Sequence, residues 1–170
     1  MLKISYILKN DSAGLSDLAG FIFLILGLVM IPFLLSFQIF QYYHIQNICY
    51  SSAALTLRTV EVGYSNRIAQ LEDPTLPAFA RDIQKTAMNT EVQEIFRTNM
   101  YSQGIRYEEG YNVGDSGLLY LNDFQINTKS ETPFINLVIN MEMPLKYGGG
   151  IFQQDTLPIT IDLAGRRTVR

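Results

Sequence analysis

The chain has 170 residues, a formal net charge of −3 and a single cysteine, Cys49. This length provides one ordinary domain in addition to an anchor, and the acidic balance excludes the broad basic surface expected of a nucleic-acid-binding protein. One cysteine excludes an internal disulfide framework. We therefore expect Cys49 to be a small buried hydrophobic residue rather than one that pairs between subunits. Stability must then come from packing or from assembly.

The dominant feature of the chain is an apolar run without any charged residue over residues 18–37. About 20 helical residues, at ~1.5 Å rise each, match a ~30 Å hydrocarbon core. The run is longer than the ~7–15-residue apolar core of a signal peptide, and no small-residue cleavage site follows it. It therefore predicts one retained transmembrane helix, with a bend at Pro32.

The basic residues that flank this run predict its orientation. Lys3 and Lys9 precede it, whereas the first lysine or arginine after it is Arg58. Cytoplasmic flanks carry the excess of positive charge, so we expect the N-terminus in the cytoplasm. This divides the chain into a cytoplasmic tail over residues 1–17, the span over 18–37, a continuation of the same helix over 38–71, and an extracytoplasmic α+β domain over 72–170.

The helix is predicted to continue well beyond the membrane. Residues 38–71 contain no proline and one glycine, Gly63, so a single helix is expected from about residue 15 to about residue 70. Its residues at alternating spacings of three and four form a stripe that we interpret as a packing seam, because small residues within it allow helices to approach closely. The members of this stripe are Ile45, Ile48, Ser52, Leu55, Thr59 and Val62.

A second helix is predicted after a proline-containing break at residues 72–77. Its expected bounds are residues 78–101, and its apolar residues recur with a helical period. We expect that apolar face to pack against the first helix or against the sheet. Its members are Phe79, Ile83, Ala87, Val92, Ile95, Phe96 and Met100.

From Ile105 onward the apolar period changes to two, which indicates strands. Strands are predicted over residues 118–127, with a bulge or a turn at 122–123, and over residues 134–145 and 157–163. Pro158 indicates an edge position or a strand start for the last of them. The predicted fold class is α+β, with a long N-terminal helix, a second amphipathic helix, and a small antiparallel sheet of three or four strands.

Residues for catalysis are scarce in this sequence. The only histidine, His44, and Cys49 do not share a helical ridge, and two such ligands cannot build a closed zinc site. General acid–base catalysis needs a base beside a positioned partner. We therefore expect no enzyme, no cofactor and no metal site. The C-terminal cluster of Arg166, Arg167 and Arg170 is interpreted either as a solvated tail or as a docking point for an acidic partner or lipid headgroups.

The residues that lead into the apolar run point to a family. Gly14 is followed by Leu15, Ser16 and Asp17, and then by the long apolar helix. This arrangement resembles the N-terminus of type IV pilin-like proteins, most closely the TadE-like branch and related pilin-like proteins of Gram-positive mobile elements, over about the first 60 residues. The resemblance implies that Gly14 is the processing position, Asp17 the acidic residue that sets register during assembly, and Pro32 the bend.

Two features of Asp17 leave its role open. It would be the third residue after cleavage at Gly14, whereas type IV pilins carry a glutamate at the fifth. An acidic residue at the start of a helix is also explained by its favourable interaction with the helix dipole.

Three functions are compatible with this sequence. The first is a non-enzymatic pilin-like structural subunit of a pilus, filament, or secretion or conjugation apparatus, assembling through its long helix. The second is a single-span accessory protein of an envelope complex whose outer domain binds a different protein. A membrane-tethered ligand sensor is the third. The expected partners are further copies of the chain or other membrane or pilus proteins, together with the lipid bilayer. The expected location is the cell membrane or a surface filament.

Overall fold

The computed structural model describes residues 2–71, 73–114, 117–128, 134–146 and 155–166. The chain divides into two compact units, Met1–Phe40 and Gln41–Arg170. The first unit is helical throughout its described residues, and the second is an α+β domain. The predicted fold class is therefore confirmed.

The described residues contain three helices. Helix α1 is Leu2–Gly63, α2 is Ser65–Leu71 and α3 is Ala78–Ser102. Helix α1 begins earlier than the sequence predicted, because the preceding segment contains no proline that would end it. It also ends earlier, at Gly63, although the Tyr64 N–H still donates to the Val60 carbonyl at 3.0 Å. The predicted bounds of α3 are correct to within one residue.

Within the described part of the chain, five antiparallel strands form one open sheet in the order β1-β2-β3-β4-β5. Their bounds are Arg106–Tyr107, Tyr111–Asn112, Leu118–Thr128, Phe134–Pro144 and Thr156–Arg166. The sequence predicted three or four strands and missed the two-residue β1 and β2. The predicted bulge is confirmed by a register shift between Leu121 and Asp123. The predicted edge is confirmed as well, because β5 is the last strand of the sheet and contains Pro158, opposite Glu142 of β4.

The part of α1 that belongs to the second unit, and helix α3, pack on one face of this sheet. Helix α1 lies against β5, where the Tyr42 hydroxyl donates to the Pro158 carbonyl at 2.8 Å. Helix α3 lies against β3, where the Ile126 N–H donates to the Asn89 side-chain oxygen at 3.3 Å. The domain is thus a two-layer α+β arrangement with its core between helices and sheet.

The central strand β4 shows why the sheet has one apolar face. Its alternate residues are fully buried against the helices, while the residues between them are half-buried and largely polar. This alternation is the period-two pattern of a strand with one face on a core. The buried set is Ile135, Leu137, Ile139, Met141 and Met143, and the intervening set is Asn136, Val138, Asn140 and Glu142.

A glycine in β5 permits the close approach of α1 to the sheet. Gly165 is buried, and a Cβ atom at this position would lie 2.9 Å from the Leu57 Cγ and would also meet the Glu61 carboxylate. A larger residue at this position would have to displace the side chains of Leu57 and Glu61.

Candidate membrane and assembly surface

The first element of the candidate site is the apolar segment over residues 18–37. Helix α1 is long and apolar enough to cross a membrane, and its most apolar window has a mean hydropathy of 2.8 with no buried residue. Exposed side chains lie all around the helix, as in a helix whose surroundings are lipid. They include Phe21, Phe23, Leu24, Leu26, Leu28, Val29, Ile31 and Phe33.

Pro32 lies inside this segment without interrupting the helix. The Pro32 carbonyl accepts a hydrogen bond from the Ser36 hydroxyl at 2.7 Å. Ser and Thr side chains that bond a carbonyl one turn earlier often accompany bends in membrane helices. The bend that the sequence predicts at Pro32 stays a prediction.

Gly14 and Asp17 both lie within α1. Asp17 is exposed, and it follows the start of the helix at Leu2 by several turns. The interaction of an acidic residue with the helix dipole is confined to the first turn, and the first turn of α1 contains no acidic residue. The helix dipole therefore does not account for Asp17, because the expected helix start near residue 15 was wrong.

The stripe predicted as a packing seam divides into two parts. Its first half faces the domain's own core: Ile45 and Ser52 are buried, and Ile48 is half-buried. Its second half, Leu55, Thr59 and Val62, is exposed. The stripe is thus not one continuous contact within this chain.

The face of α1 that does pack follows a neighbouring row. Its buried members are Ile45, Cys49, Ser52, Ala53, Thr56, Leu57 and Val60. Cys49 is fully buried, as the sequence predicted. Small or apolar residues recur every four positions from Ile45 to Leu57, and this repeat indicates the buried face. The predicted stripe was based instead on alternating spacings of three and four, which follow a different row of the helix.

A polar ladder joins α1 to α3 beside this apolar row. The Gln103 side chain accepts from the Ser51 hydroxyl at 2.8 Å and donates to the Ser52 hydroxyl at 2.9 Å. One turn further, the Asn99 amide donates to the Thr56 hydroxyl at 2.9 Å. Each of these buried or half-buried polar groups is thereby paired, and the pairing fixes the antiparallel register of the two helices.

The end of the helical layer is held by a surface cluster. The Tyr64 hydroxyl donates to the Glu91 carboxylate at 3.2 Å, and Arg67 forms an ion pair with the same carboxylate. The hydrogen bond from Arg67 holds the pKa of Glu91 below its usual range. This cluster ties α2 and the residue before it to α3.

An arginine and three aromatic side chains close the other side of α3. The Arg97 guanidinium lies 3.8 Å from the centre of the Tyr107 ring, a cation–π contact. The Tyr111 ring packs edge-on against Tyr107 and Phe96, at 5.1 and 5.8 Å between ring centres. Burial raises the pKa of Tyr111 to about 12, and the charge of Arg97 opposes that rise. This cluster attaches the short strands β1 and β2 to the domain.

The N-terminal half of α3 departs from the sequence prediction. Phe79, Ile83 and Ala87 were expected to pack inward, but all three are exposed and, with Asp82 and Thr86, line a shallow surface groove. The buried residues of α3 are Met88, Val92, Phe96 and Met100. The prediction was wrong for the first three because a helical period identifies an apolar face but not what covers it.

The side chains that could bind a metal or take part in catalysis are dispersed in the part of the chain that the structure describes. Within it, no three His, Cys, Asp or Glu side chains form a group able to hold a metal ion. His44 is exposed. Arg166 is the last residue of β5, and Arg167 and Arg170 lie outside the described residues.

Comparison of the chain with protein-family models, with curated proteins and with solved structures finds no match. The pilin-like resemblance therefore rests on the residues around Gly14 and Asp17 and on the apolar helix that follows them.

Proposed function

We propose that this chain is a non-enzymatic, pilin-like structural subunit that is anchored in a membrane and assembles through its long N-terminal helix. The observation that carries the proposal is the apolar segment over residues 18–37. None of its most apolar window is buried, although it belongs to the same helix whose residues 45–60 form part of the domain core. So large an apolar surface must be covered by lipid or by other subunits.

Asp17 supports the assembly interpretation. It is an exposed carboxylate beside the apolar segment, and the helix dipole does not explain it. Inside a filament core, a buried carboxylate requires a partner of opposite charge or a hydrogen-bond donor. An amino group at the N-terminus of a neighbouring chain, created by cleavage after Gly14, is such a partner.

The orientation belongs to the same proposal. In this proposal the N-terminus is cytoplasmic, which the positive charges of Lys3 and Lys9 before the apolar segment favour, and the α+β domain lies outside the cell membrane or on the surface of a filament.

Electron microscopy and sedimentation of the full chain, isolated from membranes, test the proposal. We expect filaments or ordered homo-oligomers in the wild type, and at least about tenfold less sedimenting material in Asp17→Ala, a loss equivalent to ~1.4 kcal/mol. Asp162→Ala is the matched control, because Asp162 is an exposed aspartate in β5. A chain that stays monomeric in membranes and in detergent would contradict the proposal.

Intact mass separates the processing step from assembly. Cleavage after Gly14 removes residues 1–14, so we expect the assembled material to have the mass of a chain that begins at Leu15. Assembled material with an uncleaved chain would remove Gly14 from the proposal and leave the assembly helix in it.

A single-span accessory protein is the second candidate. The exposed Phe79 and Ile83 on α3 favour it, because they give the outer domain an apolar surface of its own. Recovery of the chain in a stable complex with a different protein, without homo-oligomers, is the result that this alternative requires.

A further inference from the structure

Two exposed helix faces in the domain have the same residue spacing. We define the α1 face as Leu55, Arg58, Thr59 and Val62, and the α3 face as Phe79, Asp82, Ile83 and Thr86. In each face the residues stand at positions i, i+3, i+4 and i+7, which places them on one side of their helix. All eight side chains are exposed.

The apolar members of these faces are unusual for this domain. Among the described residues after residue 40, the large hydrophobic side chains that are exposed are tyrosines, except for four. Those four are Leu55, Val62, Phe79 and Ile83, exposed by 46, 78, 75 and 54%. Among the residues whose burial the structure describes, the large exposed aliphatic and phenylalanine side chains of the domain thus lie on these two faces. Surface of this kind, rimmed by polar residues, marks contacts with other proteins.

The two faces carry opposite charges at the same position of the pattern. Arg58 occupies the second position of the α1 face, and Asp82 occupies the second position of the α3 face. Neither belongs to an ion pair among the described residues, whose ion pairs join Arg67 to Glu91 and Arg97 to Glu94. Each face therefore combines apolar side chains with one charge that the other face neutralises.

We propose that the α1 face of one copy packs against the α3 face of a second copy, with Arg58 paired to Asp82 across the contact. Both faces are exposed within one chain, so neither covers the other, and the complementary surface must come from another molecule. The contact is heterologous, because each copy uses a different face toward each of its two neighbours. A heterologous contact propagates into a ring or a filament. The inference rests on the proposed function in one respect, which is that the chain self-assembles.

Charge reversal tests the contact in the full chain. Arg58→Asp and Asp82→Arg each place like charges against one another, and we expect each to lower the sedimenting fraction at least about tenfold. The double variant restores an opposite-charge pair and should return assembly to within about threefold of the wild type. Arg106→Asp and Asp162→Arg are matched controls, because both residues are exposed on strands outside the two faces. Circular dichroism and thermal unfolding check that every variant folds.

Disulfide cross-linking tests which faces meet. Cys49 is buried, so the parent chain serves as the thiol background. We expect covalent dimers when Thr59→Cys chains are mixed with Ile83→Cys chains, because each residue follows one member of the Arg58–Asp82 pair by one position, and none when either variant is oxidised alone. Homotypic dimers of one variant that form as readily as the mixed dimer would indicate a two-fold contact and overturn the proposal. Cross-links only to a different protein would overturn it too.

The outcomes separate this contact from the proposed function. Assembly that is lost in Asp17→Ala but unchanged by both charge reversals would overturn the contact and leave assembly through the long helix in place. Assembly that is unchanged in Asp17→Ala but lost on charge reversal, and restored in the double variant, would overturn assembly through the long helix and support the contact between the two faces. A wild-type chain that never self-assembles would overturn both.

Discussion

The two halves of α1 differ in a way that reverses the usual relation between hydropathy and burial. Residues 18–37 are the most apolar part of the chain, and none of their most apolar window is buried. Residues 45–60 are less apolar, yet they bury Cys49, Ala53 and even the hydroxyl-bearing Ser52 and Thr56. One helix thus presents a surface suited to lipid in its first half and a surface suited to a protein core in its second.

The difference teaches what each environment demands of a helix. Lipid is apolar on every side, so a helix in it needs apolar residues around its whole circumference. A protein core is reached on one side only and rewards close fit, so small side chains such as Ala53 are favoured there. Polar side chains are accepted in the core where a partner is at hand, as Asn99 is for Thr56.

The largest expected effect is that of a charge in the apolar segment. Leu26 is 52% exposed in the middle of this segment. Leu26→Arg should cost about 2.5–3.5 kcal/mol of membrane insertion, measured as the fraction of chain that resists alkaline extraction from membranes. Tyr50→Arg is the control, because Tyr50 is similarly exposed, at 54%, but lies outside the segment. A Leu26→Arg chain that stays as firmly membrane-bound as the wild type would contradict the transmembrane interpretation.

Adding volume to a small residue in each half should distinguish lipid-facing from core-facing surface. Ala53 is fully buried, so Ala53→Leu should destabilise the domain by about 1–3 kcal/mol through overpacking. Gly27 has no neighbouring atom within 4 Å of where its Cβ would lie, so Gly27→Leu should leave the unfolding free energy of the domain unchanged. Urea unfolding followed by tyrosine fluorescence measures both. Equal effects of the two substitutions would show that the halves do not differ in packing.

Much of the fold could be predicted because its signals are local. The bounds of α3, the bulge between Leu121 and Asp123, and the edge strand containing Pro158 each depend on a few neighbouring residues. Strands β1 and β2 could not be predicted, because two residues are too few to show a period of two. In the fold they pair with each other and with β3, and Tyr107 and Tyr111 contact Arg97 and Phe96 of α3.

The candidate site was predictable only in part, for a different physical reason. Hydropathy alone is sufficient to find the apolar segment. Apolar periodicity is not sufficient to say whether an apolar side chain packs in its own core or faces outward. For that reason the sequence did not predict that Leu55 and Val62 on α1, and Phe79 and Ile83 on α3, are exposed. The roles of Gly14 and Asp17 stay predictions that the assembly experiments address.

The polar ladder offers a smaller test within the second half of α1. Thr56→Val removes the acceptor of the Asn99 amide and leaves that half-buried donor unpaired, at a cost of about 1–2 kcal/mol in unfolding free energy. Replacing both partners, Thr56→Val with Asn99→Leu, should recover most of that loss, because no unpaired group then remains. The double-mutant cycle gives the coupling energy. Single effects that simply add would show that the hydrogen bond contributes nothing.

The smallest expected effect concerns the buried hydroxyl group of Tyr111 in the domain; the apolar segment contains no tyrosine. Burial raises the pKa of the Tyr111 phenol to about 12, from the ordinary value near 10, with Arg97 acting in the opposite direction. A raised folded-state pKa means that the folded chain holds the proton more tightly than the unfolded chain does. The stabilisation is therefore complete below about pH 10 and is lost as the pH rises toward 12. Between pH 9 and pH 11 the wild type should lose about 1 kcal/mol more unfolding free energy than Tyr111→Phe, measured by urea unfolding at each pH. Equal losses in the two chains would indicate that the Tyr111 hydroxyl contacts water. That result would contradict the attachment of β1 and β2 through a buried aromatic cluster.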